Sequence, residues 1–164
     1  MTLVDVRPAT PADFPRIVEL NAVEVQHTSA MDLDGLRALA QLSSYFTVVE
    51  ADDCVAGFLL AMRETAAYLN DNYAWFATRF EKFIYVDRIV IDAEFAGLRL
   101  GSALYDDLFA YGRSQGITTV TCEYNIDPPN PASKRFHDRY GFREHGTQWV
   151  ANGTKLVSLQ AAEI

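Results

Sequence analysis

The sequence has no apolar run long enough to cross a bilayer: the longest, Val55 to Met62, covers eight residues where a spanning helix needs roughly 20. Cysteine is nearly absent. Cys54 and Cys122 stand far apart with no Cys-x-x-Cys pair and no histidine beside them, so two buried free thiols are expected and no metal set is implied. Basic charge is scarce as well. Fourteen Lys and Arg against 22 Asp and Glu leave a net charge of −8, the wrong sign for a non-specific grip on a phosphate backbone, so nucleic acid is excluded as the expected ligand. The acidic balance fits a cationic partner such as an amine and fits plain solubility equally. Residues Met1 to Pro8 include Asp5 and Arg7 where a secretory leader needs an apolar stretch, so a cytoplasmic location and no membrane association are expected.

What is present suffices for one folded core. The chain has 164 residues, 49% of them apolar and 12% aromatic, with no internal repeat and no Gly/Ser or Pro-rich linker, which predicts a single domain over 1–164. Leu3 to Arg7 alternates as a strand. Thr10-Pro11-Ala12-Asp13 then opens a helix that runs toward Gln26, with Thr10 as N-cap and Asp13 at the third position. Met31 to Leu42 predicts a second helix, started by Asp32 or Asp34. Tyr45 to Glu50 and Cys54 to Arg63 predict an antiparallel hairpin across Ala51-Asp52-Asp53, with Gly57 marking a bulge. Glu64 to Lys82 reads as a loop and a short helix near Tyr73 to Arg79, rich in aromatics that either line a binding lid or cover a core edge.

Phe83 to Ile91 is the strongest strand signal, followed by a helix over Gly101 to Ser114 that Gly116 ends. A strand over Ile117 to Tyr124, a helix over Ala132 to Tyr140 and extended segments at Gln148 to Val150 and Lys155 to Leu159 complete the order βααβββαβαββ. This predicts a mixed α/β sheet of six or seven strands with about four helices. Between strand and helix, Gly97 and Gly101 form a turn whose helix amides and positive dipole end make an anion seat, with Arg99 at its side. The turn lacks the Lys-Ser/Thr of a nucleotide-triphosphate loop and the three spaced glycines of a dinucleotide fingerprint.

The segment Ala96 to Gly101 resembles the pyrophosphate-binding turn of the GNAT N-acetyltransferase superfamily, Arg/Gln-x-x-Gly-x-Gly/Ala ahead of a helix. It departs from it at Ala96, where the family prefers Arg or Gln, and at Arg99, where it prefers Gly. Asn130-Pro131-Ala132-Ser133-Lys134-Arg135-Phe136-His137-Asp138-Arg139-Tyr140-Gly141-Phe142 resembles the family's late helix, with His137 seven positions after Asn130 where the family usually has Tyr. The Ser133 and His137 version is similar to that of phosphinothricin-type amino acid acetyltransferases, and Val6 to Asp13 resembles a GNAT opening. The resemblance implies a GNAT fold with a mostly antiparallel sheet in which the strand Phe83 to Ile91 splays away from Ile117 to Tyr124. It also implies acetyl-CoA as cofactor and direct attack of a primary amine on the thioester.

Under the resemblance the cofactor meets Ile89, Val90 and Ile91, then Ala96, Gly97, Leu98, Arg99, Leu100, Gly101, Ser102 and Ala103, and later Asn130, Ser133 and His137. His137 either protonates the departing thiolate or only hydrogen-bonds the cofactor, and Asn130 either contacts the pantetheine or fixes the helix entry. Period two puts Tyr85, Asp87, Ile89 and Ile91 on one strand face. Asp87 there either orients a cationic amine and takes its proton or pairs with Arg88, and Tyr85 either lines the cleft or packs in the core. A small-molecule amine is the expected acceptor, with a protein N-terminus or lysine, or a non-catalytic acyl-CoA sensor, as alternatives and a homodimer as a possible assembly. His27 and His145 have no comparable support.

Overall fold

The computed structural model describes residues 1–25 and 28–164. The predicted end of the first helix at Gln26, and His27, lie outside the described residues. Seven strands form one sheet in the order β1-β2-β3-β4-β5-β7-β6. The strands are β1 (Val4–Pro8), β2 (Tyr45–Ala51), β3 (Cys54–Arg63), β4 (Ile84–Ile91), β5 (Thr119–Asp127), β6 (Arg143–Val150) and β7 (Lys155–Glu163). The helices are α1 (Phe14–Val23), α2 (Leu33–Leu42), α3 (Asp71–Ala77), α4 (Leu100–Ser114) and α5 (Pro131–Arg139). Among the described residues no helix is long and apolar enough to cross a membrane. The chain divides into two compact units, Met1–Met62 with Val86–Tyr111, and Arg63–Tyr85 with Gly112–Ile164.

In the first unit, β1 and β2 are antiparallel, as are β2 and β3, and the β2–β3 hairpin turns through Asp52 and Asp53, both at positive φ. Short acidic side chains tolerate that conformation better than bulky ones. Ala56 to Met62 are buried without interruption, as a strand covered on both faces requires, which explains why the longest apolar run of the sequence lies here. Val49 pairs with Gly57 and Glu50 with Val55, so β3 carries the extra residue of a bulge where Gly57 predicted one. A Cβ on Gly57 would lie 2.8 Å from the Val90 carbonyl oxygen and 2.6 Å from Ile91 Cδ1, so only glycine allows the close approach.

The first helix opens at the predicted cap, with Thr10 as N-cap, Pro11 in the first turn and Asp13 completing a capping box. Pro11–Asp13 forms a 3-10 turn and the α-helix begins at Phe14. Arg7 reinforces this cap: its guanidinium holds both oxygens of Asp13, at 2.8 and 2.9 Å, while Thr10 N donates to Asp13 Oδ2. Arg7 also holds the Asp13 carboxyl down to a pKa of about 2. α1 buries Ile17, Leu20 and Asn21, and α4 buries Leu100, Leu104, Tyr105, Leu108 and Phe109, each set on one helical stripe. Each fully buried large side chain contributes roughly 1.5–3 kcal/mol. α2 starts where Asp32 accepts from Gly35 N at 2.7 Å, deciding between the two predicted starts.

In the second unit β5 and β7 are antiparallel, as are β6 and β7, and the beginning of β4 runs parallel to β5 through Ile84–Val120 and Tyr85–Thr121. A parallel neighbour reached through α4 is the βαβ element the sequence predicts. The helix in the aromatic segment is Asp71–Ala77, two residues earlier than predicted, because Asn70 caps it by accepting from Tyr73 N. Strand β6 is longer than the expected Gln148 to Val150. It is the end strand of the sheet order and its residues Arg143 to His145 are exposed, so no apolar alternation betrays it. Cys122 is buried as expected, but Cys54 is exposed because it opens β3 directly after the hairpin turn.

Candidate active site

The chemistry-bearing residues of the first unit follow from how β4 ends. Asp92 N donates to Ala56 O at 2.8 Å, and the Val90 carbonyl also faces Gly57, so residues 90 and 92 direct their main-chain groups at β3. Strand alternation then projects the N–H and C=O groups of Ile89 and Ile91 from the opposite edge. Val90, expected to serve the cofactor with its neighbours, therefore differs from them for a geometric reason. Residues 87, 89 and 91 share the partly exposed face of the strand, and residues 86, 88 and 90 are buried.

After β4 the chain makes a 3-10 turn over Ala93–Phe95, passes Gly97 at φ +87° and Arg99 at φ +57°, and enters α4 at Leu100. The first intrahelical bond runs from Ala103 N to Arg99 O, 3.1 Å. The amides of Leu100, Gly101 and Ser102 lie in the first turn of the helix, at the positive end of its dipole. Ala96, Gly97 and Arg99 are exposed at this turn and Leu100 anchors it in the core. Arg99 keeps the left-handed backbone that glycine supplies easily, at a cost of about 1 kcal/mol for a side chain with a Cβ. The turn and the helix start are kept despite the departures at Ala96 and Arg99.

Asp87 is not a solvent-facing base. Its carboxylate accepts from Arg88 Nε at 2.7 Å, with the two side chains only 3% and 6% exposed. Arg88 also donates to Asn21 Oδ1 and to the Ser29 carbonyl, at 3.1 and 3.0 Å. The Arg88 pairing that the sequence offered as the alternative is present, and it is buried rather than at a strand edge.

In the second unit Tyr85 is fully buried and its hydroxyl lies 2.9 and 2.8 Å from the two oxygens of Glu123 on β5. Tyr68, Tyr73 and Phe76 pack about the Tyr85 ring with centroids 6.5, 5.6 and 5.9 Å away. Tyr73 and Phe76 are buried, so these two cover a core edge, while Tyr68 is half-buried and Leu69 fully exposed. Glu123 is a residue that the sequence reading missed. The signal was there, a carboxylate inside the apolar run Thr119 to Tyr124, the same feature that singled out Asp87.

Asn130 fixes the entry to α5, its side chain accepting from Ser133 N at 3.4 Å. One turn on, His137 is buried against Tyr124, Phe136 and Phe142, with its Nδ1 2.7 Å from the Ser133 carbonyl and 3.2 Å from Ser133 Oγ. A carbonyl only accepts, so Nδ1 carries the proton and the neutral ring leaves Nε2 as an acceptor. Burial holds the His137 imidazole below its ordinary pKa, against the pull of the Ser133 carbonyl and Asp138 toward protonation. His145, on β6, packs edge-on against Phe80.

The His137 shift has a measurable sign. Above an ordinary pKa of 6.5 the imidazole is neutral in both states. As pH falls below that value the unfolded chain takes the proton first, so His137 makes the fold progressively less stable until the folded imidazole also titrates. Denaturant midpoints recorded from pH 8 to 5 are expected to fall less steeply for His137→Gln than for the unsubstituted protein. Equal slopes would show that the buried ring does not resist protonation.

The acetyltransferase (GNAT) family model matches residues 11–142. No functionally curated protein matches the chain in sequence. Among solved structures, Ard1 from Thermoplasma volcanium superposes with a TM-score of 0.79 at 17% identity over 98% of this chain and 97% of that one. The ribosomal-protein-S18-alanine N-acetyltransferase from Escherichia coli gives 0.72 at 14% identity over 99% and 94%. The yncA protein of Salmonella typhimurium, solved with its cofactor acetyl-CoA, gives 0.71 at 20% identity over 98% and 93%. The family match runs through the β4 edge, the amide seat at the head of α4 and the Asn130–His137 helix; the chain belongs to the GNAT acetyltransferase family, as an acetyl-CoA-dependent N-acetyltransferase.

Proposed function

We propose that the chain is a single catalytic domain that acetylates a primary amine of a small, cationic molecule. The observation that carries the acceptor class is the Tyr85–Glu123 pair, a carboxylate held by a buried phenol whose ring is walled by Tyr68, Tyr73 and Phe76. A carboxylate beside aromatic faces attracts an ammonium group and leaves little polar surface for other ligands. The single-domain reading is supported by a family match that begins in the first unit and ends in the second.

The residues present fit the cofactor. The outward main-chain groups of Ile89 and Ile91 suit the amides of a pantetheine arm, and the amides of Leu100, Gly101 and Ser102 suit a diphosphate, with Gly97 and Arg99 shaping the turn between Ala96 and Ala103. When bound, acetyl-CoA supplies an acyl group activated as a thioester. That thioester would be open to direct attack by the amine, whose two displaced protons would go to a base and to the departing thiolate. Glu123 carries the negative charge that orients the amine and receives its proton through water, while Asp87 is held by Arg88. His137, placed by Ser133 and Asn130, serves as a hydrogen-bond acceptor at Nε2 and not as the acid, because its neutral form has no proton there to give.

A protein acceptor is favoured by one observation, the fully exposed Leu69 beside Tyr68, an apolar step on which a peptide can rest. The E. coli neighbour acts on a ribosomal protein alanine by its name. Thiol release from acetyl-CoA against a panel of amino acids, polyamines and peptides separates the readings. The expected result is turnover with small cationic amines. Turnover with peptides alone would replace this reading, and cofactor binding without thiol release for any acceptor would make the chain a sensor.

A further inference from the structure

The head of the cofactor turn is built on a carboxylate. Asp92 ends β4, accepts from Glu94 N through Oδ1 at 2.9 Å, and caps the 3-10 turn that leads to Gly97 and α4. A negative charge at the entry to a seat for a diphosphate is electrostatically wrong unless something offsets it. Arg16 on α1 does so: its guanidinium donates to Asp92 Oδ2 at 2.6 Å, while its Nε donates to the Val55 carbonyl at 3.1 Å. The β3 bulge makes this arrangement possible, since Ala56 O is taken by Asp92 N and the neighbouring Val55 O is left to Arg16. Asp92 is 16% exposed and Arg16 32%, so solvent screens the pair only in part. The third contact of Arg16, to Glu19 on its own helix, holds the guanidinium from the outer side.

We propose that Arg16 is a positioning residue for the cofactor: through Asp92 and Val55 it fixes the start of the turn that seats the diphosphate and offsets the carboxylate built into it. Arg16 touches neither acyl group nor amine. Its effect falls on cofactor binding, and the inference rests on the reading that the amides of Leu100 to Ser102 hold the diphosphate.

The test compares CoA with pantetheine, which lacks the diphosphate, by calorimetry on the full chain. Arg16→Met is expected to weaken CoA binding about tenfold and pantetheine less than about twofold, raising the KM for acetyl-CoA while kcat stays within about twofold. Adding Asp92→Asn, which keeps the cap but removes the charge, is expected to return the CoA affinity to within about threefold of the unsubstituted protein. Equal losses for both ligands, or no loss for either, would overturn the role of Arg16 while leaving the seat intact. If the unsubstituted protein itself binds CoA no better than pantetheine, the seat is misplaced and the inference goes with it. Should Arg16→Met fail to fold, Arg16→Gln decides: a loss of CoA affinity with pantetheine binding spared supports the inference, and unchanged CoA affinity overturns it.

Discussion

Gly101→Val is expected to raise the dissociation constant for CoA about 100-fold while leaving the melting temperature unchanged within about two degrees. Gly101 is the second residue of α4 and has ordinary helical backbone, so valine adopts its conformation without strain, and glycine is the poorer helix former of the two. The loss falls on the ligand. A branched side chain among the amides of Leu100, Gly101 and Ser102 keeps phosphate oxygens from the main chain, and each charge-assisted bond forfeited there is worth about 1.5–3 kcal/mol. Losing one or two such bonds corresponds to the hundredfold change. Calorimetry with CoA and a thermal melt of the same sample check both halves. A valine protein that binds CoA as well as before, with its fold intact, would remove the diphosphate from this turn.

The elements that the sequence disclosed best are those whose burial is one-sided or complete. The buried run of β3, the strand β4 and the stripe of α4 all carry apolar patterns that physical period alone makes legible, and the Gly97 to Gly101 turn sits where strand gives way to helix. Strand β6 stayed hidden over Arg143 to Thr147 because an end strand with exposed polar residues has no pattern to read. Partnerships across the chain were hidden for a different reason. Arg7 gripping Asp13, Arg16 reaching Asp92 76 positions on, and Tyr85 meeting Glu123 38 positions on depend on register, which composition and period do not encode. His137 was identifiable from its spacing to Asn130, but its proton sits on Nδ1 only because the Ser133 carbonyl lies beneath it, a consequence of helix geometry and rotamer together.

Asp87→Ala is expected to destabilise the fold by about 3–5 kcal/mol, enough to threaten the native state of a domain this size. The reason is the partner left behind. Arg88 is nearly as buried as Asp87, and its remaining contacts, Asn21 Oδ1 and the Ser29 carbonyl, are neutral acceptors that cannot balance a guanidinium. A loss of activity in Asp87→Ala would therefore say nothing about the amine. Asp87→Leu combined with Arg88→Met removes both charges and fills the same space, and is expected to recover most of the stability, since replacing a buried pair with apolar residues is often neutral. Turnover in that double variant isolates the chemistry. If Asp87 orients a cationic amine, the recovered protein remains deficient in kcat/KM toward cationic acceptors by tenfold or more and is spared toward neutral ones. Equal turnover with both acceptor types would reduce Asp87 to the counter-ion of Arg88, leaving Glu123 as the carboxylate that meets the substrate.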